Sequence, residues 1–197
     1  MVHLLTSSVL AMTMVAADAP APSTSAALAG AQLAANSSKV IEVSAEPFAS
    51  NAAIPNKFSA YHDGVSPGVI WSPVGDAKSY VLIVEDPDAP TPRPVVHWVV
   101  FNIPAGTTKL AADQPKAGQL VEPKGALQGK SSHDNLGYFG PRPPKGDNPH
   151  HYHFQVFALD APLNLSSGAS RDDVVGAAQG HIMAKGELVG IYAEPKS

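Results

Sequence analysis

The 197-residue chain has no cysteine, which excludes disulfides, thiolate metal sites and cysteine nucleophiles. Charge is sparse as well: Asp, Glu, Lys and Arg make up 15% of residues, the formal net charge is −4, and no Lys/Arg cluster occurs. A basic surface for nucleic acid is therefore not expected. No apolar run reaches the roughly 20 residues that a membrane-spanning helix needs. Neither a P-loop nor G-x-G-x-x-G is present, so the usual loops that cradle nucleotide phosphates are missing.

What is abundant is apolar residues, at 44%, together with 19 prolines and 16 glycines. That balance favours a loop-rich β protein over a helix bundle, and the length suits one domain with a tail. Residues 1–19 are expected to be a secretory signal, with an apolar stretch at Val9–Ala17 and a small-x-small site at Ala17-Asp18-Ala19. The alternatives are a disordered extension or a misplaced start, since the first residues carry no Lys or Arg. A signal implies a secreted or periplasmic protein, its absence a cytoplasmic one. Residues 20–38 are biased to Ala, Pro, Ser and Thr and carry no charge, which reads as a disordered linker. The folded domain is expected over residues 39–197.

The centre of the chain is Tyr80–Asn102. Tyr80–Val84 and Val95–Phe101 are short apolar runs that read as buried strands. Between them Pro87, Pro90, Pro92 and Pro94 forbid regular structure. A stiff acidic loop thus holds Asp86 and Asp88 at the end of one strand, near His97 and Trp98 in the next. Further strands are expected at Val40–Ser44, around Ile54–Phe58 and Val65–Trp71, near Gln119–Val121, and at Tyr152–Asp160. Residues 124–149 form a long glycine- and proline-rich stretch without periodicity, and a loop of that length is usually functional or disordered. Ser170 and Asp173 form a capping-box pattern that opens a helix, with Val174, Ala178, His181 and Ile182 on one face. Gly186 is expected to end it before a last strand at Glu187–Tyr192. Many short strands and one late helix predict a mainly β protein, an antiparallel β-sandwich with a small C-terminal helix.

Two blocks carry a resemblance. Asp86-Pro87-Asp88-Ala89-Pro90 followed by His97, and Gly140-Pro141-Arg142-Pro143-Pro144-Lys145-Gly146 running into His150-His151-Tyr152, resemble the two signatures of the phosphatidylethanolamine-binding protein family, in its bacterial Raf kinase inhibitor-like branch. The resemblance covers about residues 40–194 and implies the same β-sandwich. Where the family shows Ser-Pro-Pro before a tryptophan, this chain has Ser66-Pro67-Gly68.

The residues make chemical sense as an anion site. A carboxylate beside a histidine favours the imidazolium. Two imidazoliums, a tyrosine hydroxyl and the N–H groups of a Gly/Pro loop can cradle an anion. The candidate ligand-binding residues are Asp86, Asp88, Pro90, His97, Gly140, His150 and Tyr152, with Asp88 alternatively a loop stabiliser. The resemblance implies that positions matching Asp86, Pro90, His97, His150 and Tyr152 line a small pocket for phosphate-like or carboxylate anions. Read alone, His97 is more often a hydrogen-bonded core residue than a ligand. Strand alternation turns His151 and His153 away from His150 and Tyr152, and Trp71 and Trp98 read as packing. A metal is not expected, because His150 and His151 point apart on a strand; no cofactor is implied.

The expected function is non-enzymatic binding of a phosphate, phospholipid head group or carboxylate. The resemblance adds a role as modulator or inhibitor of a protein kinase or protease. One alternative is a hydrolase using Asp86 and His97 with an unmarked serine, for which Ser66, Ser131 and Ser132 are the candidates. The other is a protein-interaction module with a vestigial pocket.

Overall fold

The computed structural model describes residues 27–196; the expected signal at 1–19 and the linker as far as residue 26 lie outside the described residues. In chain order the elements are α1 (Ala29–Gln32), β1 (Val43–Glu46), β2 (Ala52–Ala53), β3 (Gly68–Trp71), β4 (Ser79–Asp86), β5 (Val95–Pro104), β6 (Lys109–Leu110), β7 (Leu127–Gln128), β8 (His150–Leu159), α2 (Arg171–Ala178) and β9 (Ile182–Tyr192). Six strands form one sheet in the order β2-β9-β8-β4-β5-β7, and three form a second in the order β1-β3-β6. The protein is mainly β, with two short helices. The expected sandwich needs one correction: the larger sheet is mixed, because β2 runs parallel to β9.

The central strand β4 is buried along its whole length, since both faces of the six-stranded sheet are covered. Alternation sorts its side chains. Tyr80, Leu82 and Val84 join Trp98, Val100, Phe154 and Val156 in a core shared with Val69 and Trp71 of the smaller sheet. Val81 and Ile83 join Val99, Phe101, Phe157 and the helical residues Ala29, Val174, Val175 and Ala178 on the other side.

Several expected elements move. The Ile54–Phe58 stretch is a short 3-10 turn at Asn56–Phe58 rather than a strand. Around Gln119 a single bridge to Leu127 replaces the expected strand. The capping box is present as read, with Ser170 Oγ accepting the Asp173 N–H at 3.1 Å and Asp173 Oδ2 accepting the Ser170 N–H at 2.9 Å. However, α2 stops at Ala178 and Gly180 takes φ +82°, so His181 and Ile182 leave the helix. Gly186 does not end a helix; it sits inside β9, where a Cβ would collide with the Ile41 carbonyl. Its role is close approach of two backbones.

The largest correction concerns the linker. Residues 27–38 pack against the sheet. Ala29 and Leu33 are fully buried, and the Lys185 ammonium holds the Gly30 and Leu33 carbonyls at the end of α1. The Ala29 N–H donates to Glu85 Oε2 at 2.8 Å, and Gly30 donates to Gln155 Oε1 at 2.5 Å. Small uncharged residues are what this packing requires, because a Cβ at Gly30 would press on Gln155 Oε1 at 2.8 Å.

This arrangement makes the segment a stability element. Removing residues 27–38 uncovers Val81, Phe157 and a buried carboxylate, and should lower unfolding free energy by about 4 kcal/mol relative to a chain starting at residue 27. Leu33→Ala alone should cost about 3 kcal/mol. Urea midpoints of the three proteins measure both effects; coincident midpoints for the two chain lengths would show that the segment adds nothing.

Candidate functional site

At the end of β4, Asp86 points to the face of the smaller sheet. Its carboxylate is buried and fully engaged: Oδ2 lies 2.8 Å from His150 Nδ1, and Oδ1 accepts the Asp88 N–H at 2.8 Å. Both side chains of the Asp86–His150 pair are 4% exposed. The other ring nitrogen of His150 lies 3.7 Å from Asp147. Two residues along β8, on the same face as His150, is Tyr152.

His97 reaches this group by an irregularity in β5. Val84 pairs with Trp98 but Glu85 pairs with Val96, so one residue of β5 is extra, and that residue is His97. A bulge of this kind re-aims a side chain. Val96 lies in the helix-side core and Trp98 in the other. The extra residue lets His97 join Trp98's side, where its ring meets Tyr152 edge-on at a centroid distance of 5.0 Å.

The 129–149 loop completes the surroundings. The Phe139 N–H donates to the His97 carbonyl at 2.8 Å, and His97 Nδ1 donates to the Phe139 carbonyl at 2.7 Å. The Phe139 ring stacks on His97 at 5.7 Å and carries His133 at 4.0 Å. Gly140 is required at its position because a Cβ would run into the backbone of Phe58–Ala60. The loop is tied there by Pro141, whose carbonyl accepts from Ala60 N–H and Ser59 Oγ at 3.0 Å each.

Two buried polar atoms in this group have no close hydrogen-bond partner among the described residues, His97 Nε2 and the Tyr152 hydroxyl, although the Asp86 carboxylate lies near enough to the hydroxyl to interact with it. Burial holds the His97 imidazole at about 4, well below the usual histidine range, against the opposing effects of the Phe139 carbonyl and the Asp86 charge. His97 is therefore neutral at neutral pH, which corrects the expectation of two imidazoliums. With Nδ1 carrying the proton, Nε2 is a lone-pair acceptor. Burial, then the nearby Asp86 charge, and also a hydrogen bond toward the Asp86 carboxylate push the Tyr152 hydroxyl up, so it remains an O–H donor.

Of the sequence-predicted residues, Asp86, His97, His150 and Tyr152 come together and Gly140 shapes their wall. Asp88 and Pro90 do not join them. Asp88 accepts the His151 N–H at 2.8 Å and His151 Nδ1–H at 2.7 Å on the exposed face, which ties the acidic loop to β8. Burial, which acts against it, is outweighed by His151, and Asp88 sits below the usual carboxylate range. Pro90 is exposed on the same loop. Sequence reasoning missed Phe139 and His133; the aromatic pair Tyr138-Phe139 inside a Gly/Pro-rich stretch was the available signal.

The hydrolase alternative relied on an Asp86–His97 pair. The structure pairs Asp86 with His150 instead. Gly64-Val65-Ser66-Pro67-Gly68 does spell G-x-S-x-G, but it runs from a turn into β3, whereas a nucleophile elbow joins a strand to a helix. The Ser66, Ser132 and Ser131 hydroxyls accept the N–H groups of Gln114, Val96 and His133 respectively. None of the three bonds a histidine side chain among the described residues. There is likewise no group of three or more His, Asp or Glu placed to hold a metal among the described residues. Two open clefts lie apart from the buried group. One, of about 460 Å³, borders Arg93, Lys130 and Arg171, and one of about 550 Å³ borders the N-terminal segment.

The site is thus a buried polar cluster under a proline-rich loop, on a mainly β scaffold. The comparisons give the family. The family model described as phosphatidylethanolamine-binding protein matches residues 44–193, and the chain belongs to that family. It is 44% identical over 140 residues to the UPF0098 protein of Methanothermobacter thermautotrophicus, covering 71% of this chain and 89% of that protein. The solved structure of Escherichia coli YbcL, titled a new member of the mammalian PEBP family, superposes with a TM-score of 0.73 at 31% identity, covering 79% of this chain and 99% of that one. That of Chlamydia trachomatis CT736 gives 0.70 at 34% identity, covering 79% and 98%. No helix among the described residues is long and apolar enough to cross a membrane.

The state of His97 sets an acid limit on stability. Its folded pKa of about 4 lies below the unfolded value of 6.5, so the unfolded chain holds the extra proton between them. Stability from this group is full above the unfolded value and lost as pH falls through about 4, a loss on the order of 3 kcal/mol. His153, raised chiefly by its hydrogen bond to Glu187, works in the opposite sense but is common to wild type and variant. His97→Gln should therefore flatten the acid slope of unfolding free energy between pH 7 and 4, measured by urea titration at each pH. An unchanged slope would mean that His97 is not the buried neutral group.

Proposed function

We propose that this protein is a non-enzymatic binder of a small oxyanion, such as a phosphate-bearing head group, held among Asp86, His97, His150 and Tyr152. The observation that carries the reading is the pair of buried, unpartnered polar atoms, His97 Nε2 and the Tyr152 hydroxyl, on rings 5.0 Å apart. A buried polar atom left unpaired costs about 1–3 kcal/mol; an acceptor oxygen of the ligand removes that cost at Tyr152, and a donor on the ligand removes it at His97 Nε2. Asp86 fixes His150 at the base of the site, and the main chain of the Gly140 loop closes one side. Family membership supports a binding role in general. The ligand assignment is this reading's own.

Titration calorimetry with phosphoethanolamine tests it. Tyr152→Phe keeps the ring and removes the hydroxyl alone, and should weaken binding by about tenfold or more, as expected for one hydrogen bond to a charged group. The circular dichroism spectrum and urea midpoint of the variant should stay near those of wild type. Equal affinity in the two proteins would show that the anion, if bound, does not use this pocket.

A further inference from the structure

On the opposite face of the sheet from Asp86, a cleft of about 550 Å³ lies between the N-terminal segment and strands β8 and β9. Leu28, Ala31, Ala35 and Val40 line it from the segment, and Phe157 lines it from the sheet. Val40 is 76% exposed, one of two large apolar side chains left in solvent among the described residues. Small-molecule sites are typically concave, mostly apolar and about 300–1,000 Å³ in volume. Residues 28–40 precede the stretch that the family model matches, 44–193. This wall therefore belongs to the chain's own extension, outside the part that the family model covers.

Most polar groups in the cleft are engaged, and the charge left over is positive. Gln155 Oε1 accepts the Gly30 N–H, and its Nε2 donates to Glu85. Glu187 Oε1 lies 2.9 Å from His153 Nδ1. Lys185 donates to the Gly30 and Leu33 carbonyls, which are uncharged, and keeps a third N–H. Lys39 is exposed. Neither ammonium is paired with a carboxylate among the described residues.

Main-chain recognition is already used beside the cleft. The carbonyls of Ile182, Met183 and Lys185 on β9 accept from the Asn36 N–H, Ser37 Oγ and the Ile41 N–H. An added peptide strand finds no free acceptors at those three positions. What the cleft offers is volume, apolar walls and uncompensated positive charge. The complement is an apolar chain that ends in a compact anion. A doubly charged phosphate ester would shed more hydration than two partly exposed ammoniums replace. We propose that this cleft binds an aliphatic monocarboxylate, with its chain against Leu28, Ala31, Val40 and Phe157 and its carboxylate at Lys185 and Lys39. The site is independent of the Asp86–His150 group.

Calorimetry on the full chain at neutral pH tests this with octanoate, 1-octanol, octylammonium and acetate. Octanoate should bind about tenfold or more tighter than 1-octanol, which lacks the charge, and than acetate, which lacks the buried methylenes. Octylammonium should bind more weakly than 1-octanol. Ala31→Glu, at an exposed position of α1, puts a like charge in the cleft. It should weaken octanoate about fivefold or more and leave 1-octanol little changed. Lys39→Gln should narrow the octanoate–octanol gap by about two- to fivefold. Both variants should keep the wild-type urea midpoint and the wild-type response to phosphoethanolamine. If octanoate binds no tighter than 1-octanol or acetate, the proposal falls. Octanoate binding that Ala31→Glu leaves unchanged and Tyr152→Phe weakens belongs to the other pocket, which overturns this cleft while the anion reading stands. A dimer in sedimentation that Ala31→Glu dissolves makes the cleft an interface between two copies and likewise overturns it. Loss of the anion reading alone has a different signature: the octanoate profile as expected, with no binding of phosphoethanolamine.

Discussion

Two carboxylates are buried back to back at the end of β4, and much of the molecule is arranged to satisfy them. Alternation sends Glu85 to the helical face and Asp86 to the face of the smaller sheet, with exposures of 1% and 3%. A buried charge without partners is costly, and removing one partner of such a pair typically costs about 3–5 kcal/mol. Glu85 receives Arg171 Nε at 2.8 Å, Gln155 Nε2 at 2.7 Å and the Ala29 N–H at 2.8 Å. These donors come from α2, β8 and α1. Asp86 receives His150 and the Asp88 N–H. The first set fastens the helices and the N-terminal segment to the sheet, and the second builds the site. Neighbouring peptide units thus anchor the helical layer on one side and the buried Asp86–His150 pair on the other.

The strand pattern at Tyr80–Val84 and Val95–Phe101 was legible because continuous β-branched runs bury on both faces whatever lies around them. The capping box was legible because it is a local contact three residues apart. His97 was placed near Asp86 by the motif, but not its orientation: the extra residue in β5 depends on pairing with β4, which no local pattern records. Its charge state is not legible locally for a similar reason, since proximity to Asp86 argues for a proton while burial argues more strongly against one. Gly186 reads as a helix stop because glycine and a helical face share a short-range signal. The structure uses it where Ile41 crosses.

The N-terminal segment shows a different failure. Low charge and an excess of Ala, Ser and Gly describe both a flexible linker and a strip of chain that packs tightly against a sheet. What separates them is a partner surface with unsatisfied polar groups, and that surface is built by Glu85, Gln155 and Lys185, more than fifty residues away. Composition alone carries no record of it.

The 129–149 loop meets the buried cluster around His97 largely through its main chain. The Phe139 carbonyl orients His97, the Pro141 carbonyl holds Ser59 and Ala60, and the Pro143 carbonyl accepts from Tyr61. Carbonyl oxygens are supplied by every residue type. The ionisable and hydroxyl groups of the site, by contrast, come from side chains on β4, β5 and β8. A lineage carrying this fold is therefore free to exchange many loop side chains around the cluster while the groups beneath stay chemically unchanged.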